Sequence, residues 1–297
     1  MFNGCFTALI TPFRNGQLDE PALRKLVQFQ LDHGIHGLVP MGTTGESPTV
    51  SAQEHKRVVD IVVQETAGQV PVIAGAGSNN PQEAIEYARH AQQAGADAVL
   101  AVAGYYNRPS QEGLYQHFKA LHDATAIPIL VYNIPPRTIV DIQSDTLARI
   151  AELPRIVGIK DACGDLGRIC HERQRIRKPF SFLSGDDITA LAYNANGGNG
   201  CISVTSNVLP AQCAQLQSLC AAGHFVAALA LHEQLVPLHA ALFREPSPAG
   251  IKYAASLLDL CSEECRLPMV ALAESSRAAI GRALADVRSD VRSDVLA

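Results

Sequence analysis

The sequence predicts a (β/α)8 barrel, the TIM-barrel fold, followed by a C-terminal helical extension. Short β-branched runs alternate with longer amphipathic segments, and the alternation recurs with a period of about 25–30 residues. Strand-helix pairs of this kind fill residues 1–222, whereas residues 223–297 carry no strand signal. A doubly wound open sheet shares the alternation, but no Gly-x-Gly-x-x-Gly follows the first strand run. The expected organisation is a barrel domain over 1–222 and a helical extension over 223–297.

The first strand is expected over 5–10, with a helix over 21–33 that opens on a proline. The second unit is 37–40 and 51–66, its helix opening on a serine, and the third is 71–74 and 81–94, again with proline in the first turn. Residues 98–102 and 111–124 make the fourth, 127–132 and 144–152 the fifth, and 156–160 and 166–176 the sixth. The seventh is 180–184 and 187–194, and the eighth 201–204 and 210–221. Asn196-Gly197-Gly198-Asn199-Gly200 precedes the eighth strand, so it reads as a tight helix-to-strand turn on the stability face and not as a phosphate loop. Beyond 223, stripes of Ala, Leu and Val predict three more helices. The repeat Asp-Val-Arg-Ser over 286–295 predicts a frayed polar tail.

A chain of 297 residues, 47% hydrophobic, can bury a substantial core. A net charge of −5 and a pI near 6.0 argue against nucleic-acid binding, and the densest basic stretch, 173–178, reads as a solvated helix face. No apolar stretch is expected to span a membrane, and residues 1–4 lack the basic start of a signal sequence, so a cytoplasmic protein is expected. The eight cysteines form no Cys-x-x-Cys pair and read as reduced structural thiols, with Cys163 close enough to Lys160 to line the same pocket. The ten histidines show no His-x-x-x-His or His-Glu-x-x-His spacing, and neither a metal nor a cofactor is expected.

Lys160 is the most informative residue. The apolar run Ile156-Val157-Gly158-Ile159 delivers this amine to the rim of a core, where desolvation disfavours an ammonium. A neutral amine attacks carbonyls, so imine formation with a keto substrate is the chemistry this position suggests. The plain alternative is a lysine that ends a strand and reaches water. In a parallel barrel all strands end on one face, which would gather Gly42-Thr43-Thr44-Gly45-Glu46-Ser47, Tyr105-Tyr106-Asn107-Arg108-Pro109, Tyr132-Asn133-Ile134-Pro135-Pro136-Arg137, Ser184-Gly185-Asp186-Asp187 and Ile202-Ser203-Val204 around Lys160. Paired glycines let amides and hydroxyls approach a small anion. Tyrosine can shuttle a proton to an imine, and Arg137 can bind a carboxylate.

These stretches resemble the dihydrodipicolinate synthases, pyruvate-dependent class I aldolases whose sister lyases include N-acetylneuraminate lyase. The resemblance runs from Phe6-Thr7-Ala8-Leu9-Ile10-Thr11-Pro12-Phe13 to Arg266-Leu267-Pro268-Met269, with Gly158-Ile159-Lys160-Asp161 carrying the imine motif and the Tyr105 to Tyr115 run and Arg137 more selective. It implies condensation of pyruvate with L-aspartate 4-semialdehyde in the diaminopimelate route to lysine. It further implies Lys160 as the Schiff base, Tyr132 with Thr43 and Tyr106 as the proton relay, and Tyr106 entering from a neighbouring subunit. Thr44, Gly185 and the Ile202 carbonyl would hold pyruvate, and Arg137 the semialdehyde carboxylate. A homotetramer built as a dimer of dimers is implied, as is a lysine site at Ser47, His55, Asn79, Glu83 and Tyr105, although Ala52 and Pro48 depart from the pattern of lysine-sensitive relatives. The alternatives are a sister aldolase acting on a longer 2-keto acid and a catalytically silent barrel that binds small acids.

Overall fold

The computed structural model describes residues 1–294, with side chains through 288. Eight parallel strands form the barrel wall: β1 (Gly4–Ala8), β2 (Gly37–Val39), β3 (Ile73–Gly75), β4 (Ala98–Val102), β5 (Ile129–Asn133), β6 (Ile156–Asp161), β7 (Ser181–Ser184) and β8 (Gly200–Ser203). Apart from β2 and β3, each pairs with its sequence neighbour, and β8 pairs back to β1, with Gly4 opposite Gly200 and Thr7 opposite Ser203. Between β2 and β3 the ring closes through the bridge Leu38–Val72, supported by Leu38 N–H donating to the Pro71 carbonyl at 3.0 Å and Gly75 N–H to the Pro40 carbonyl at 2.8 Å. A Cβ at Gly75 would collide with the Met41 carbonyl, so this close approach requires glycine.

The wall is apolar on both faces, as parallel strands require, because helices cover the outside. These are α1 (Glu20–Asp32), α2 (Ala52–Thr66), α3 (Pro81–Ala94), α4 (Gln111–Ala124), α5 (Ser144–Ala151), α6 (Arg168–Arg175), α7 (Ala190–Ala195) and α8 (Pro210–Ala221). Their starts follow the sequence signals. The Ser51 hydroxyl accepts from Glu54 N–H at 3.2 Å while the Glu54 carboxylate accepts from Ser51 N–H at 2.9 Å, a reciprocal cap. The seventh helix starts later than expected because residues 187–189 form a 3-10 turn first. A two-stranded hairpin at 13–18, absent from the sequence expectations, turns on Asn15-Gly16, both with positive φ, the pattern of a tight hairpin turn.

After the barrel come α9 (Phe225–Leu242), α10 (Ala249–Ser256) and α11 (Glu274–Asp294). Two expectations are corrected here. Residues 286–294 of the expected frayed tail instead continue α11, which Ile280, Ala283, Leu284 and Val287, buried at helical spacing, pack against the protein up to residue 287. Residue 295 lies outside the described residues. The expectation that no apolar stretch reaches membrane-spanning length also fails, since α9 passes that test on length and composition. Its Leu235, Leu238 and Leu242 are buried in the protein core, and its buried His239 shares a 2.7 Å hydrogen bond with the Thr205 hydroxyl.

Candidate active site

Lys160 lies one residue before the end of β6 and is only 5% exposed, which removes the alternative of an ammonium reaching water. Its Nζ sits 4.3 Å from the centroid of the Tyr132 ring, and the two residues are register partners across β5 and β6. The aromatic face offers an electrostatic partner to a lysine ammonium. Gly185 follows β7 and leaves no room beside the lysine: a Cβ there would stand 2.8 Å from Ala162 Cβ, 3.0 Å from Lys160 Cε and 3.1 Å from the Asp161 carbonyl. Ile202 is fully buried in β8. The end of β8 is pinned by Asp187, whose carboxylate accepts from Val204 N–H at 2.8 Å and Thr205 N–H at 3.1 Å.

Loop 42–47 is a series of tight turns. Gly45 N–H donates to the Gly42 carbonyl and Glu46 N–H to the Thr43 carbonyl, each at 3.1 Å, and the Thr11 hydroxyl donates to the Gly45 carbonyl at 2.7 Å. Thr44 is buried and Thr43 half-buried. Met41 and Glu46 bracket the loop in the left-handed region, with φ of 57° and 58°. Non-glycine residues in that region are strained and cluster at functional sites.

Two expected residues are exposed within one chain. Tyr106 is 91% exposed, with φ of 66°, so its ring does not pack against the buried lysine. Arg137 is exposed on the short helix Pro135–Thr138. The loop carrying Arg137 is nonetheless anchored. Asp141 accepts from Asn133 Nδ2 at 2.8 Å and from Arg168 Nη1 at 2.6 Å, and Arg168 Nε donates to Glu172 at 2.6 Å. Burial raises the Glu172 and Asp161 carboxyls above their ordinary range even though Arg168 opposes the shift. Burial also pushes the Cys163 thiol up to about 12, which leaves it without nucleophilic character near neutral pH.

Of the set expected to bind lysine, Asn79 Nδ2 donates to the Tyr105 carbonyl at 3.3 Å, and buried His55 stacks on Tyr87 at 3.9 Å. Tyr87 in turn donates to Glu83 at 3.4 Å, so Tyr87, which sequence reasoning passed over, links two of the expected residues. Sequence reasoning also missed the bracing roles of Asp187, Asn133, Asp141 and Arg168. Asp187 is expected from the sequence at a helix start and on the face around Lys160, not as the cap of β8. Among the described residues no cluster of His, Cys, Asp and Glu is arranged to hold a metal.

A family model described as the dihydrodipicolinate synthetase family matches residues 1–287. The 4-hydroxy-tetrahydrodipicolinate synthase of Parvibaculum lavamentivorans is 56% identical over 289 residues, covering 97% of this chain and 98% of its own. The solved structure of the enzyme of that name from the thermoacidophilic methanotroph Methylacidiphilum fumariolicum SolV superposes with a TM-score of 0.96 at 40% identity, covering 99% and 98% of the two chains. A chloride-inhibited dihydrodipicolinate synthase of Acinetobacter baumannii, solved with pyruvate, superposes with a TM-score of 0.94 at 39% identity, covering 97% and 99%. With fold, buried strand-end lysine and full-length similarity in agreement, this chain belongs to the dihydrodipicolinate synthetase family.

Proposed function

We propose that the protein is a 4-hydroxy-tetrahydrodipicolinate synthase, a Schiff-base-forming lyase that condenses pyruvate with L-aspartate 4-semialdehyde on the way to L-lysine. The observation that carries this reading is the buried Lys160 amine against the Tyr132 ring at the carboxyl end of the barrel strands. The amine attacks the pyruvate keto carbon, water leaves, and the imine nitrogen accepts the electron pair released when a methyl proton departs. The resulting enamine carbon bonds to the aldehyde carbon of the second substrate. The amino group of that substrate then lies in the same adduct, where attack on the imine carbon closes a ring and releases Lys160.

Tyr132, Thr43 and Tyr106 serve as the proton relay. Thr44, Gly185 and the Ile202 carbonyl hold pyruvate, and Arg137 takes the semialdehyde carboxylate as a charge-assisted, paired contact. The exposure of Tyr106 supports its completing the site of a second copy, within a homotetramer. Ser47, His55, Asn79, Glu83 and Tyr105 form a site for free lysine. Residues 1–222 act as the catalytic barrel and 223–297 as its extension, in a cytoplasmic enzyme.

Borohydride reduction in the presence of pyruvate, followed by peptide mass mapping, tests the chemistry. A pyruvate-sized adduct on Lys160 with semialdehyde-dependent pyruvate consumption is expected. An adduct without that consumption would move the protein to a sister lyase, and no adduct would leave a silent barrel.

A further inference from the structure

One buried ionic cluster ties the C-terminal extension to loop 42–47. Lys252 on α10 has no exposed surface, and its ammonium forms an ion pair with Glu46, itself 3% exposed. Burying both charges is costly unless each is fully coordinated. Lys252 Nζ also donates to the Glu264 carbonyl at 2.6 Å and lies 4.2 Å from the centroid of the Phe13 ring. The second carboxylate oxygen of Glu46 accepts from Arg266 N–H at 2.9 Å. The Arg266 guanidinium then reaches the Thr49 carbonyl at 3.1 Å, the Gly16 carbonyl at 2.9 Å and both oxygens of Glu54.

The backbone of Glu46 bears on the site directly. Its N–H holds the Thr43 carbonyl, and its left-handed conformation ends the turn that presents Thr43 and Thr44. A glutamate has no intrinsic preference for that conformation, so something must hold it there. The carboxylate is anchored by two groups of the extension, and those anchors fix the side chain and with it the turn.

We propose that Glu46 and Lys252 are positioning residues for pyruvate capture, through which the C-terminal extension sets the geometry of Thr43 and Thr44 beside Lys160. This rests on the reading that residues 43 and 44 meet pyruvate. Neither residue touches the substrate; the pair acts through the loop.

The test compares wild type with Lys252→Met, which keeps the apolar stem and strands a buried carboxylate, and with Glu46→Gln/Lys252→Met, which leaves no buried charge. Three quantities are read: the rate of borohydride-trapped adduct formation against pyruvate concentration, the KM for semialdehyde, and the thermal midpoint. Lys252→Met is expected to lose both stability and imine formation. The double variant is expected to recover most of the midpoint while imine formation stays at least tenfold slower at low pyruvate, with the semialdehyde KM within about twofold of wild type.

A double variant with wild-type imine formation would overturn the proposal and reduce the pair to a structural one. If neither variant folds, amide exchange on the wild-type protein decides. Protection on adding pyruvate that rises together in 42–47 and 249–256 supports the coupling, and protection confined to 42–47 overturns it. Absence of any adduct on wild-type Lys160 would overturn the functional reading itself, and this proposal with it.

Discussion

Replacing Gly185 by alanine probes how tightly the site holds its lysine. The added Cβ would stand 2.8 Å from Ala162 Cβ and 3.0 Å from Lys160 Cε, whereas carbon atoms rest at about 3.5–4.0 Å. At least one neighbour must therefore give way by roughly 0.5 Å. Lys160 has little freedom to do so, being buried between its register partners Tyr132 and Leu183. Overpacking of this kind costs about 1–3 kcal/mol of stability. A 1 Å misplacement of a reacting group costs on the order of 100-fold in rate, so half that displacement corresponds to about tenfold. Gly185→Ala should melt several degrees lower and form the trapped pyruvate adduct about tenfold more slowly. The assay is single-turnover adduct formation by mass spectrometry beside a thermal melt. A variant that loses stability yet forms the adduct at the wild-type rate would show that Ala162 yields and Lys160 does not move, and would refute the reasoning.

Arg137→Ala should raise the KM for semialdehyde by about 10- to 100-fold, the worth of a charge-assisted hydrogen bond, with the pyruvate KM little changed; an equal rise in both would remove Arg137 from semialdehyde recognition. His55 makes stability depend on pH. Burial, with His90 and Lys56 adding to it and the Gly75 backbone opposing, lowers its imidazole to about 4 from an ordinary 6.5. The folded state thus binds the proton less well than the unfolded one. The contribution of His55 is undiminished above pH 6.5 and is lost as pH falls from there toward 4, by at most about 3 kcal/mol. Denaturation curves of wild type and His55→Gln should diverge in shape across that window, and parallel pH profiles would contradict the assignment. Ser51→Ala removes one half of the reciprocal cap on α2 and should lower the urea midpoint by an amount equivalent to about 0.5–2 kcal/mol without changing the slope; an unchanged midpoint would mean that water replaces the hydroxyl without loss.

The barrel was legible because parallel strands buried on both faces leave near-continuous apolar runs, and 156–160 shows one with Lys160 at its end. The site's strand-end residues followed from topology alone, since every β-strand delivers its last residues to the same face. Pairwise side-chain bracing was not legible. Nothing in the order of residues announces that Asp141 will meet Arg168, or that Asp187 will cap the end of β8, because such contacts depend on the angle at which separate units pack. The 286–294 segment misled for a related reason: its charges are conspicuous, while the value of Val287 lies in the neighbours it meets only after folding. One signal was available for the extension. Lys252 interrupts Ala249-Gly250-Ile251 and Tyr253-Ala254-Ala255, and a single cation inside an apolar helix must find a partner.

The Glu46 clamp also fixes an order of events during synthesis. Loop 42–47 emerges 220 residues ahead of Arg266, a delay of roughly 10–45 s at ordinary elongation rates. Until Lys252 and Arg266 emerge, the Glu46 carboxylate and its left-handed turn lack their native anchors. On the reading proposed above, competence waits for the extension, and a stalled fragment ending before Lys252 would carry Lys160 without the anchors of loop 42–47.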